Sequence, residues 1–347
     1  MRKFLIKISY TVLPVWLFFV GMATYLWIIN DNSGDLMRLG LINEGSTYTD
    51  SIRETALPGI YPVGLNDHNL LRKDTCAILV VGDSFSHGGG IGRRGDYVNY
   101  LQHDSGREVT VMYPDLSTEN PIQMAYDLMN LGYVDSTNVK NLVVQEGERY
   151  LVNRHNVLVT TNTEMPKMHL IDKPGDTNAN ANQQTTGPLM RVKDFFFYRF
   201  FGANPIYTEQ LDRDLFTGGD PRKLYFFFED VEMGYNVTPA LQQKVIDGFD
   251  MLIDMANEKG VNLIILIACD KYDIYQDFII DNSYPRKTLV DDVQRWTQPN
   301  QEYFVYAKPL LLPLIEQGVR DVFLYNDTHW SPASSRIIAD AIIKKLK

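Results

Sequence analysis

The sequence predicts an α/β domain on a parallel sheet covered by helices on both faces, carried behind one transmembrane helix. Three observations lead there. Short runs of unbroken apolar residues alternate with segments of helical periodicity, and strands of that kind belong to a sheet buried on both faces. Of the 347 residues, 45% are hydrophobic, enough for one large core. The N-terminus carries a long apolar stretch without a charge.

That stretch runs from Ile8 to Ile29. At about 1.5 Å per residue it crosses a hydrocarbon layer of roughly 30 Å. Arg2, Lys3 and Lys7 precede it and Asp31 and Asp35 follow, so the positive-inside rule sends the rest of the chain out of the cytoplasm. A cleaved signal peptide is the rival reading. Its apolar region is shorter and ends in small residues, whereas this one ends Tyr25-Leu26-Trp27-Ile28-Ile29, which favours an uncleaved anchor. The predicted organisation is a cytoplasmic tip and anchor over 1–30, a stalk over 31–75 broken by Pro58, Gly59, Pro62 and Gly64, and a domain over 76–347.

Within the domain, Ala77–Val81 reads as a strand ended by Gly82, and Val109–Met112 as a second ended by Pro114. A helix is predicted over Ile122–Leu131, a strand over Leu142–Val144, a helix over Ala240–Glu258 closed by Gly260, and a strand over Val261–Ala268. A helix over Pro309–Gln317 and a strand over Val322–Tyr325 follow. Ser331 then caps a last helix over Ala333–Leu346, with Pro332 at its first position. Residues from about 150 to 237 break this rhythm and read as an insertion. They hold the polar run Asp176–Thr186, which cannot bury a core.

Composition excludes several functions. A net charge of -10 argues against a nucleic-acid partner, which would need a clustered cationic surface. Two cysteines, Cys76 and Cys269, give neither a disulfide framework nor metal-ligand spacing. Gly90-Ile91-Gly92-Arg93-Arg94-Gly95 has the spacing of a dinucleotide fingerprint but begins nine residues after its strand ends, so no cofactor is expected.

Chemistry concentrates at two places. The first strand delivers Gly82-Asp83-Ser84-Phe85-Ser86, and the last delivers Asn326-Asp327-Thr328-His329-Trp330, to the carboxyl edge of the sheet, where such folds bind ligands. A serine hydroxyl needs a base within hydrogen-bond reach; His329 can take its proton, and Asp327 can fix the tautomer of the imidazole. His87, on the same turn as Ser84, has poor geometry for that role. Asp83 is expected to brace the turn through backbone hydrogen bonds.

These motifs resemble the first and last blocks of the SGNH/GDSL hydrolase superfamily. Asp327-Thr328-His329-Trp330-Ser331-Pro332 is similar to its AlgX/AlgJ-like branch of bacterial polysaccharide O-acetyltransferases, as are Val144–Leu151 and Asp270–Tyr275. The resemblance spans about 76–150 and 240–347. It implies a three-layer α/β/α flavodoxin-like fold and acetyl transfer through an acetyl-serine to a sugar hydroxyl. It also implies a polysaccharide substrate, with acetyl groups delivered by a multispanning membrane acyltransferase. The usual Gly-x-Asn-Asp block is replaced by Glu146-Gly147-Glu148-Arg149, and the second block lacks its glycine. One oxyanion donor is then the Ser84 backbone N–H, with Ser117 and Asn120 as candidates for the other.

Four further readings stay open. Arg149 pairs internally with Glu148 or binds an acidic sugar. Lys271 and Tyr272 line the site or are loop surface. Trp330 stacks on a sugar or, the safer reading, fills the core under the last helix. At the level of function, O-acetyl transfer competes with an acetyl esterase that uses water, and with a noncatalytic carbohydrate-binding scaffold.

Overall fold

The computed structural model describes residues 2–30, 34–38, 63–64, 77–86, 95–114, 120–153, 192–193, 196, 200, 206–232 and 237–347. The polar run 176–186, Cys76, His87, Arg93, Arg94 and Ser117 lie outside them.

Arg2–Asn30 forms one helix. Its stretch Lys7–Tyr25 is long and apolar enough to cross a membrane, a test of length and composition that a signal sequence also passes. Trp16, Phe18 and Leu17 stand more than half exposed on it. A helical turn, Asp35–Arg38, follows. The strands are β1 (Val63–Gly64), β2 (Ile78–Val81), β3 (Val109–Met112), β4 (Asn141–Gly147), β5 (Ile206–Gln210), β6 (Lys223–Phe227), β7 (Asn262–Ala268) and β8 (Phe304–Tyr306).

Six strands form one sheet in the order β1-β3-β2-β4-β7-β8, and every pairing in it is parallel. Setting aside the two-residue β1, the order is the flavodoxin-like 2-1-3-4-5, in which the side on which strands are added switches between β2 and β4. Helices Tyr97–Ser105, Pro121–Asn130, Pro239–Glu258 and Leu289–Trp296 lie in the crossovers between these strands, and Ala307–Glu316 and Pro332–Ile343 follow β8. The unbroken apolar runs Ile78–Val81 and Leu263–Ala268 are buried throughout, as a sheet covered on both faces demands. Helix starts follow their caps. Asp96, Asn120, Thr238 and Ser331 each accept a hydrogen bond from a first-turn N–H, and Pro121, Pro239 and Pro332 stand at the start of three of those helices.

Two elements depart from the expectation, and the region read as an insertion has a sheet of its own. The region 150–237 holds an antiparallel hairpin, β5–β6, apart from the main sheet. Gly34–Leu36, read as stalk, packs on the domain, with Leu36 wholly buried in its core. Val322–Tyr325 is not a strand of the sheet, whose edge there is β8. It folds back on itself, with Leu324 N–H donating to His329 O at 2.9 Å, Ser331 N–H to Val322 O at 3.0 Å, and an isolated bridge from Phe323 to Trp330. An apolar run reads the same whether a sheet or a loop buries it.

Candidate active site

Ser84 opens a tight turn directly after β2, at the point where strand order reverses. Gly82 is needed for the close approach there: a Cβ on it would meet Ser86 Oγ at 2.1 Å and Gln145 Oε1 at 2.8 Å. Asp83 Oδ1 accepts from Phe85 N–H at 2.9 Å, which braces the turn. Gln145 of β4 ties it down, its Oε1 accepting from Asp83 N–H at 3.0 Å and from Ser86 Oγ at 2.9 Å, while Ser86 Oγ also bonds Tyr97 Oη at 2.7 Å. Gln145 was not singled out from the sequence. Its one signal was a polar residue interrupting a buried strand.

Asp327 and His329 stand 245 positions from Ser84 at the farthest, in the loop before the last helix. His329 Nε2 lies 2.7 Å from Ser84 Oγ, and its Nδ1 lies 2.5 Å from Asp327 Oδ1. That oxygen also accepts from His329 N–H at 3.0 Å. The Phe85 ring packs against the imidazole, centroids 4.6 Å apart. Asp327 is wholly buried and His329 nearly so, while Ser84 is half-buried and open on one side. Burial pulls the imidazole pKa down, but Asp327 above all, then Asp35 and Asp83, outweigh it and hold it above its ordinary value. A buried serine–imidazole–carboxylate relay of this geometry can shuttle a proton off a nucleophile.

Lys271 is not a site-lining residue. It is fully buried under the loop, where Nζ donates to the carbonyls of Leu324 at 2.6 Å, Tyr325 at 2.8 Å and Asp327 at 3.1 Å. Burial lowers its pKa to about 7. Trp330 does not present itself to a sugar: it is 1% exposed and packs on Phe85 at 4.4 Å. Arg149 does not pair with Glu148 and does not reach for a ligand. Nη2 lies 2.9 Å from Asp230 Oδ1 and Nε 2.9 Å from Asp270 Oδ1. Lys287 completes this buried layer on Asp270 Oδ2 at 2.5 Å, and Glu148 accepts from Asp270 N–H at 2.9 Å. Tyr272 is buried as well. Asp230 and Lys287 escaped sequence reading because nothing local marks a charge that pairs across the fold.

Asn120 caps the helix after β3, its Oδ1 accepting from Gln123 N–H at 2.8 Å. Glu146 is buried; burial, then Asp83, raises its pKa well above the carboxylate range against the opposing pull of the Gly147 backbone N–H. Ligand atoms of Asp35, Asp327 and His329 lie within 4.8 Å of one another. Hydrogen bonds within the protein account for that closeness.

Residues 226–347 match the SGNH hydrolase-like domain of acetyltransferase AlgX. The match supports the SGNH/AlgX-like branch, and with it acetyl transfer or ester cleavage as the kind of chemistry. This SGNH hydrolase-like span contains Asp327 and His329 and stops short of Ser84, which the fold supplies from β2. No curated protein and no solved structure matches the chain.

Proposed function

We propose that the protein is a membrane-anchored, extracytoplasmic O-acetyltransferase that moves an acetyl group through Ser84 onto a hydroxyl of a cell-envelope polysaccharide. The observation that carries this reading is the continuous hydrogen-bonded line from Ser84 Oγ to His329 to Asp327. Ser84 Oγ attacks the acetyl carbonyl as His329 Nε2 takes its proton. The Ser84 N–H, with Asn120 or Ser117, holds the oxyanion. The donor leaves with the proton, and acetyl-Ser84 remains. A sugar hydroxyl then gives its proton to His329 as its oxygen attacks the acetyl carbonyl, and His329 passes that proton to the departing Ser84 oxygen, restoring the serine and the neutral imidazole. The basic residues before the apolar helix and the acidic ones after it support an outward-facing domain. A multispanning acyltransferase in the same membrane is the proposed source of acetyl groups.

The test uses the full chain in detergent with a chromogenic acetyl ester, with and without an acceptor oligosaccharide. Wild type is expected to turn over the ester and add acetyl to the oligosaccharide, seen by mass spectrometry. Ser84→Ala is expected to lose about 10³-fold or more in kcat. Acetyl release without transfer would make it an esterase. Wild-type protein that neither turns over nor acylates would leave a carbohydrate-binding scaffold and overturn the proposal.

A further inference from the structure

We infer that Asp35, on the segment directly after the apolar helix, is a positioning residue for the Asp327–His329 loop, so that the membrane-proximal chain completes the active site. The inference rests on the acyl-serine reading above and deepens it.

Four contacts converge on this residue across some 292 positions of sequence. Thr328 N–H donates to Asp35 Oδ1 at 2.8 Å, and Thr328 Oγ1 to Asp35 Oδ2 at 2.5 Å. The Asp35 N–H donates to Asp327 Oδ2 at 2.9 Å, the carboxylate oxygen opposite the one that holds His329. Asp35 Oδ2 itself lies 3.8 Å from His329 Nδ1. Thr328 is the middle residue of Asp-x-His, so gripping its backbone and side chain together fixes the pitch at which Asp327 and His329 face each other. Asp327 is thereby held from three sides: His329 on one oxygen, Asp35 on the other, and Lys271 on its carbonyl.

The neighbours of Asp35 make this a fitted seat. Leu36 is fully buried in the main core. Gly34 lies so close to Asn326 that a Cβ on it would stand 2.2 Å from the carbonyl oxygen. The helix ends at Asn30, four positions before Gly34. At no more than about 3.6 Å per residue, the catalytic loop is therefore tethered within about 15 Å of the helix end.

The experiment measures kcat, KM and the pH profile of ester turnover for the full chain in detergent. Asp35→Ala is expected to lose about a hundredfold in kcat with little change in KM, the scale of a catalytic group displaced by about 1 Å. Asp35→Asn retains an acceptor for Thr328 N–H and a donor for its hydroxyl but removes a charge. It is expected to lose less, and to shift the acid limb of kcat/KM to lower pH, because one of the anions favouring the imidazolium is gone. The charged groups that face that ring are Asp327 on its own loop, Asp35, and Asp83 after β2, with Lys271 acting beneath the loop. Asp35→Glu is expected to recover part of what Asp35→Ala loses. Gly34→Ala alters no titratable group and is expected to lower kcat as Asp35→Ala does, by lifting the segment off Asn326. Full turnover in Ser84→Ala would overturn the acyl-serine reading itself. An inactive Ser84→Ala, alongside Asp35→Asn and Gly34→Ala within twofold of wild type and with an unmoved acid limb, would overturn the role of Asp35 alone.

Discussion

Replacing Asp327 by asparagine swaps one carboxylate oxygen for an amide NH₂ and removes a charge with almost no change of shape. Every side-chain partner described above for its carboxylate is a donor: His329 N–H and Nδ1 on Oδ1, and Asp35 N–H on Oδ2. An asparagine has one acceptor oxygen and one donor nitrogen, so one side must set donor against donor. With its oxygen toward His329, the Asp35 N–H is left facing an NH₂ group. With its nitrogen toward His329, Nδ1 must become the acceptor and the imidazole proton moves to Nε2, where it points at Ser84 Oγ. The base is then in the wrong tautomer. That loss amounts to about 10⁴ in kcat in a serine–histidine–aspartate relay. At about 1.36 kcal/mol per decade it is about 5.4 kcal/mol of transition-state stabilisation. Steady-state turnover of a chromogenic acetyl ester by Asp327→Asn and wild type measures it, with KM expected to stay near the wild-type value. A kcat within tenfold of wild type would refute the reasoning, because the tautomer would then not matter.

Two further outcomes follow from the same geometry. The acid limb of kcat/KM is expected above the ordinary histidine value of about 6.5: His329 must be neutral to accept the serine proton, and Asp327, Asp35 and Asp83 together outweigh burial and hold the imidazolium to higher pH, so activity falls as pH drops through that raised value. A limb below about 6 would contradict it. Arg149→Met takes the guanidinium from buried Asp230 and leaves Asp270 to Lys287, at a cost of about 3–5 kcal/mol, to be read as a lower urea midpoint; an unchanged midpoint would show that Lys287 alone satisfies both acids.

What was legible in the chain was what periodicity and caps encode. Ile78–Val81, Val109–Met112 and Asn262–Ala268 announce themselves because a doubly covered sheet needs no polar face. The start at Ser331 was read from its cap, while the helices read from Ile122 and Ala240 begin a residue earlier, at Pro121 and Pro239, behind the caps Asn120 and Thr238. Val322–Tyr325 was misread because burial in a folded-back loop leaves the same apolar signature as burial in a sheet. Lys271 was misplaced, and the partners of the internally paired Arg149 stayed hidden, for a related reason. A cation near a strand end looks the same in sequence whether it faces solvent or is sealed against carbonyls and carboxylates, and only the three-dimensional neighbours decide.

The sequence by itself determined the alternation of strand and helix, the apolar N-terminal helix, and the residue types available to a serine–histidine–aspartate relay. These are properties of spacing and composition, readable one segment at a time. Tertiary structure alone decided that Ser84 and His329 meet, that Gln145 pins one loop and Lys271 the other, and that Asp35 crosses from the end of the first helix to grip Thr328. The parallel strand order gathers Ser84, Gln145 and Lys271 at one edge, the His329 loop and Asp35 pack onto it from outside the sheet, and a contact between segments hundreds of positions apart leaves no mark on either segment's own pattern.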